Sequence, residues 1–220
     1  WGRLRAAERW RSAVLSAPVD GRHWSLQGTI AYDPAARLRS DYVEAGNTER
    51  ANDGTDTRSA SFRPHDPTDG FSETSVCRQS DGSLLAVIRQ QGVGGDPSLS
   101  LFRSWSFDEG CNWTTAVPIG FTGMSPALHR LADGSLLLAT RRHVPEGSGL
   151  SPAVEIRRGT ADGLHWSEPV EARHPEGVVL ESEYQCGYPT MVDDPAGVRM
   201  FFYTYLPDRG RCLAWNLLAI

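Results

Sequence analysis

Glu73, Arg89, Arg141, Arg158 and Tyr188 are the side chains of this sequence best suited to hold an anion or react with a substrate. Glu73 lies in the run ETSVCRQ, which leads into an Asp81-Gly82 turn, and Arg89 closes the run LLAVIRQ after it, sixteen residues beyond Glu73. Arg141 holds the same place after a second turn, Asp133-Gly134. Arg158, with Arg157 beside it, lies in AVEIRRG, and Tyr188 opens GYPTMVDD. A guanidinium presents its N–H donors in a rigid fork that grips a carboxylate through two parallel hydrogen bonds. Arginines converging on one hollow would therefore form an anion site. The competing reading of Glu73 and Arg89 is an internal ion pair that orders the interior, and that of Tyr188 is a strand-start tyrosine packed inward. The choice depends on the elements that carry them.

Those elements repeat. Residues 80–91, SDGSLLAVIRQQ, and 132–142, ADGSLLLATRR, place their Asp-Gly pairs 52 residues apart. Trp113 and Trp166 stand 53 apart, so two independent landmarks report nearly one period. Within each period the pattern is β. ETSVCRQ and LLAVIRQ flank a tight turn, and SLSLFRSWS and WTTAVPI flank FDEGCN as a second hairpin. Four short strands per repeat of about 50 residues is the arithmetic of a β-propeller blade; a β-sandwich with accidental repetition is the alternative. In SWSFDEGCNW and GTADGLHW the Gly supplies a positive-φ position and the Asp accepts from backbone N–H groups left unpaired by the bend. The Trp then covers the turn. SAPVDGRHW at 16–24 is a weaker copy.

These turns are Asp boxes: SxDxGxxW at 106–113 matches the full pattern, and the other two lack the residue between Asp and Gly. With ETSVCRQSDGSLLAVIRQ they make residues 71–220 resemble the sialidase (neuraminidase) superfamily, whose fold is a six-bladed propeller. The N-terminal third resembles it only through SAPVDGRHW. The boxes speak for the fold rather than the activity. The expected architecture is all-β: one partial propeller of four-stranded antiparallel blades over 1–220. About three and a half blades are present (11–32, 71–120, 121–172 and 185–220), with a long inter-blade loop at 33–70. The start at Trp1 agrees with a C-terminal portion of a longer protein.

The resemblance implies roles. In such enzymes a Tyr, made basic by a Glu, attacks the anomeric carbon, since an attacking carboxylate would meet the substrate's own. Glu73 and Tyr188 take those positions, and their side-chain oxygens are expected within ~2.6–3.2 Å of each other. Arg89 takes the place of one carboxylate-binding arginine. The next family arginine has no match in EGSGLSPAVEIRRG before Arg157, so Arg141 is preferred, with Arg157 or Arg158 behind it. Tyr184 and Tyr203 are further tyrosine candidates. The first arginine and the Asp acid of the family are not identifiable, and Asp53, Asp56, Asp66 and Asp69 fit turn chemistry better. The chain as given is thus expected not to hydrolyse sialosides. The implied activity is a retaining exo-glycosidase for a sialic-acid-like sugar; the alternatives are a non-catalytic glycan- or protein-binding propeller and a hydrolase for another sugar.

Composition agrees with a globular domain. The net charge of −5 argues against a nucleic-acid partner, although all 22 basic residues are Arg. No apolar run is long enough to span a membrane as a helix. Cys77, Cys111, Cys186 and Cys212 are scattered, and neither they nor the six His residues show metal-ligand spacing. Packed free thiols are favoured over a disulfide. NDGTD at 52–56 lacks the distal Glu of a calcium loop. No nucleotide-binding or serine-hydrolase motif is present, no cofactor is expected, and the compartment stays open.

Overall fold

The computed structural model describes residues 11–32, 70–91, 101–144, 147–176 and 178–219. The expected loop at 33–70, with NDGTD and its aspartates, lies outside them except for Gly70. Thirteen strands form four antiparallel sheets among the described residues. Sheet I pairs β1 (Arg11–Ser16) with β2 (Ser25–Tyr32). Sheet II runs β3 (Gly70–Arg78), β4 (Leu84–Gln91), β5 (Leu101–Ser106) and β6 (Val117–Pro118). Sheet III repeats that order with β7 (Met124–Arg130), β8 (Leu136–Arg141), β9 (Val154–Gly159) and β10 (Val170–Glu171). Sheet IV holds β11 (Gly187–Asp194), β12 (Gly197–Leu206) and β13 (Gly210–Leu218). This is the β-propeller architecture that the repeat predicts.

The core lies between sheets, which explains the unbroken apolar runs. In β4, Ala86 and Ile88 face sheet I, where they meet Ile30, Ala31 and Val14. Leu85 and Val87 point the other way, onto Leu128, Leu136 and Leu138 of sheet III. Sheet III gives its opposite face, Leu137, Ala139 and Val154, to Met200, Phe202 and Val198 of sheet IV. A strand covered on both faces has no polar side to alternate with. Each fully buried Leu or Ile contributes roughly 1.5–3 kcal/mol. The outward face of sheet IV lacks such a neighbour among the described residues and leaves Leu213, Trp215 and Leu217 exposed.

The three Asp-Gly-Trp turns close alike. The indole N–H donates to the turn glycine's carbonyl in Trp24–Gly21 (3.1 Å), Trp113–Gly110 (3.0 Å) and Trp166–Gly163 (3.1 Å). Asp108 accepts from the Asn112 N–H at 2.8 Å, and Asp162 from the Leu164 N–H at 2.9 Å. Gly110 and Gly163 have φ of 86° and 63°, the left-handed region that the turn needs. Trp166 lies so tightly over Gly159 that a Cβ there would come 2.6 Å from the indole ring. No disulfide joins the four cysteines, all of which are among the described residues.

Candidate functional site around the axial cavity

β3, β7 and β11 are the inner strands of their sheets, and they run beside one another. Polar side chains link them: the Leu128 N–H donates to Ser75 Oγ at 2.9 Å, and His129 Nε2 meets Asp193 Oδ1 at 3.0 Å. Each inner strand also begins with a register shift of one residue, between Phe71 and Thr74, between Met124 and Ala127, and between Gly187 and Thr190. A bulge re-aims the side chains at its position, and bulges concentrate beside functional sites. Glu73, Ser125 and Tyr188 occupy the three bulges. Ser125 and Tyr188 hold φ of 50° and 46°, an uncommon conformation for non-glycine residues that costs of order 1–3 kcal/mol and persists only when its surroundings impose it.

The bulges open onto a cavity of about 630 Å³ lined by Glu73, Arg89, Arg141 and Tyr188. Four of the five residues singled out from the sequence therefore share one hollow. Tyr184 and Tyr203, the secondary tyrosines, line it as well, with Met124 and Arg211. Arg158 is the exception. It lies on β9, the third strand from the axis, where its guanidinium pairs with Asp133 at 2.6 Å and contacts Ser135 Oγ at 3.2 Å, at the Asp133-Gly134 turn. Arg157, one residue earlier, is spent on Phe121, whose ring centre is 4.3 Å from its guanidinium carbon, and on the Ser167 carbonyl. The expectation that Arg158 grips a ligand in the axial hollow is thus corrected by strand order.

Glu73 is fully engaged. Its Oε2 accepts from Arg89 Nη1 at 3.0 Å and the Ser125 N–H at 2.7 Å, and its Oε1 accepts from Ser125 Oγ at 3.0 Å. Burial works against its charge, but the Ser125 N–H and the Arg89 guanidinium outweigh burial and hold the carboxyl below the usual carboxylate range. The expected hydrogen bond to Tyr188 is not among its contacts with the described residues. Tyr188 instead stacks on Tyr203, ring centres 6.0 Å apart, and is 61% exposed. The ion-pair reading of Glu73 and Arg89 and their place at a cavity hold together.

Arg141 is the odd group. It is 5% exposed, and no carboxylate pairs with it among the described residues. Its neighbours are neutral: the Tyr203 hydroxyl at 3.4 Å, Met124 Sδ at 3.4 Å, and the rings of Tyr184 and Tyr188, whose centres lie 5.2 and 5.9 Å from the guanidinium carbon. Its Nε is buried with no hydrogen-bond partner among the described residues. A buried cation without a counter-ion costs roughly several kcal/mol, which facing π-electrons offset only in part. Among the described residues, charge on the cavity wall is lopsided: three arginines against one glutamate.

Sequence reasoning missed Ser125 and Arg211. Ser125 is the counterpart of Ser72 in the aligned bulges, and Pro126 that of Glu73, so the repeat did not mark it. Arg211 carried no signal; it reaches the cavity because β13 pairs with β12 so that Arg211 lies opposite Tyr205, one residue past the turn end at Gly210. Among the described residues no cluster of His, Cys, Asp and Glu could hold a metal ion.

No protein-family model matches the sequence, and no curated protein does. Solved structures do. A protein of unknown function from Dyadobacter fermentans is 20% identical, with 92% of this chain and 44% of that one covered at a TM-score of 0.60. A GH93 α-L-arabinofuranosidase of Fusarium graminearum, solved with arabinobiose, is 16% identical over 66% of this chain and 44% of that one, at a TM-score of 0.51. A Hadza microbial sialidase is 14% identical over 66% and 34% of the two chains; its TM-score of 0.44 carries no argument. The chain thus spans less than half the length of these three structures, and what it shares with the first two is the β-propeller fold found in glycoside hydrolases.

Proposed function

We propose that this chain is part of a propeller glycoside hydrolase of sialidase-like type, and that its axial cavity holds an anionic sugar. The observation that carries the reading is Arg141: a buried guanidinium with no acid partner among the described residues, at a cavity that also presents Arg89 and Arg211. A sugar carboxylate supplies the missing counter-charge through two parallel hydrogen bonds. Catalysis on this reading is retaining. The Tyr188 oxygen bonds to the anomeric carbon as the glycosidic C–O bond breaks, the phenolic proton passes to Glu73, and an acid protonates the departing oxygen. Water then cleaves the glycosyl–tyrosine bond and restores Tyr188. No second carboxylate lines the cavity among the described residues, so on this reading the acid stands outside them.

A second reading, a glycan-binding propeller without catalysis, is favoured by Glu73 itself. A carboxylate that already accepts three hydrogen bonds and titrates low is a poor base. Calorimetric titration with N-acetylneuraminic acid, and with arabinose as the neutral control, tests the shared premise. The acid is expected to bind and arabinose not to, and Arg141→Met is expected to weaken the acid at least ~100-fold. Equal affinity for both sugars would sink the anion-site reading. Turnover of a fluorogenic sialoside by a longer chain, lost in Tyr188→Phe, decides between the two readings.

A further inference from the structure

The sheet IV side of the cavity holds more than one sugar needs. Tyr184 sits in a single 3-10 turn, Glu183–Gln185, closed by a capping box in which Ser182 Oγ accepts from the Tyr184 N–H and Gln185 Oε1 accepts from the Ser182 N–H. The Tyr203 hydroxyl donates to the Tyr184 carbonyl at 3.2 Å, and the Arg141 guanidinium lies on its ring. Yet Tyr184 is 61% exposed. A turn tied down from three sides that keeps a large ring open at a cavity mouth offers an apolar face at little ordering cost.

Beyond it, Arg211 folds inward from β13 until its guanidinium carbon is 5.7 Å from the centre of the Tyr203 ring. No carboxylate pairs with it among the described residues. Tyr188 and Tyr203 stack between the two cations, so a wall of three tyrosines carries Arg141 on its buried side and Arg211 on its exposed side. Arg89 is already neutralised by Glu73, which among the described residues leaves two positive charges for a ligand to meet. The cavity, about 630 Å³, is in the range that drug-sized molecules fill, beyond the needs of a single sugar ring.

We infer that Tyr184 and Arg211 form a second subsite, and that the preferred ligand is a disaccharide with an acid group on each unit. The inference rests on the anionic-sugar reading of the cavity. The first acid meets Arg141; the second unit lays its C–H face on Tyr184 and turns its acid group to Arg211.

The test is a calorimetric titration of the chain with N-acetylneuraminic acid, with sialyllactose (one acid, more than one sugar) and with disialic acid (two acids). Disialic acid is expected to bind at least ~10-fold more tightly than sialyllactose, and sialyllactose more tightly than the monosaccharide. Arg211→Ala should bring disialic acid down to the sialyllactose value, with partial recovery in Arg211→Lys. Tyr184→Ala should weaken both longer ligands about tenfold more than the monosaccharide. Both side chains are exposed, and unchanged thermal melts check that the variants fold. If disialic acid binds no more tightly than the monosaccharide, or Arg211→Ala weakens all three ligands alike, the second subsite is wrong while the first stands. If none of the three binds, the anionic-sugar reading falls and takes this inference with it.

Discussion

The rim of the molecule and its axis are both repetitive, but they repeat different things. At the rim, three turns keep the same side chains and the same bond from Trp indole to Gly carbonyl. At the axis, three inner strands keep the same bulge while its residue pair changes, from Ser72-Glu73 to Ser125-Pro126 to Tyr188-Pro189. A turn that needs one positive-φ residue, one acceptor and one apolar cover has a single good solution, so every copy converges on it. A bulge only sets a direction. The side chain that stands there is free to vary, and at Ser125 and Tyr188 the backbone is held at strained φ.

Breaking the rim should therefore cost stability and nothing else. Trp166 packs against the core between sheets II and III, with its ring over Gly159 and edge-on to Phe121. Trp166→Ala is expected to lower unfolding free energy by about 3 kcal/mol in urea titrations, with ligand affinity of the folded protein unaltered. A comparable loss of affinity would mean that rim and axis are coupled.

Breaking the axis should do the reverse. Arg141→Met removes a buried unpaired charge and replaces it with an apolar side chain of similar length. The urea midpoint is expected to rise, by about 1–2 kcal/mol in stability, while anion binding is lost. A destabilised Arg141→Met would show that the cation is a structural element after all, and the contrast drawn above would fail at its main residue.

The smallest effect sharpens the comparison through pH. The folded-state value of Glu73 is lowered, so its contribution to stability is complete above the ordinary carboxylate range and is lost as pH falls through the folded value. Glu73→Gln should be less stable near neutrality and show a shallower acid limb in stability-against-pH measurements. Asp108 and Asp162 titrate low for rim reasons, their own turn hydrogen bonds. They should leave part of the acid limb in place in that variant. An unchanged limb in Glu73→Gln would remove Glu73 from the axial ion pair.

Much of the fold was legible because its signals are local. The Asp-Gly turns, the Trp after each outer turn and the apolar runs LLAVI and LLLAT all arise within single blades, and the blade limits read from them agree with sheets I to IV. The candidate site was legible in part. Arg89 and Arg141 could be named because they stand at the same place after the two Asp-Gly turns, and Glu73 and Tyr188 because their surroundings resemble those of sialidases. Arg158 was misplaced since adjacency to Arg157 says nothing about distance from the axis, which strand order alone determines.

The sequence by itself determined the turns, the strands and the period, because turn chemistry and alternation act over a few residues. Tertiary structure alone decided who meets whom at the axis. It gave Glu73 to Arg89 and Ser125 rather than to Tyr188, left Arg141 among neutral groups, and brought Arg211 onto Tyr203. The longest of them, Glu73 with Ser125 and Arg141 with Tyr203, join residues 52 and 62 positions apart across separate sheets, and no local rule of the chain reaches that far.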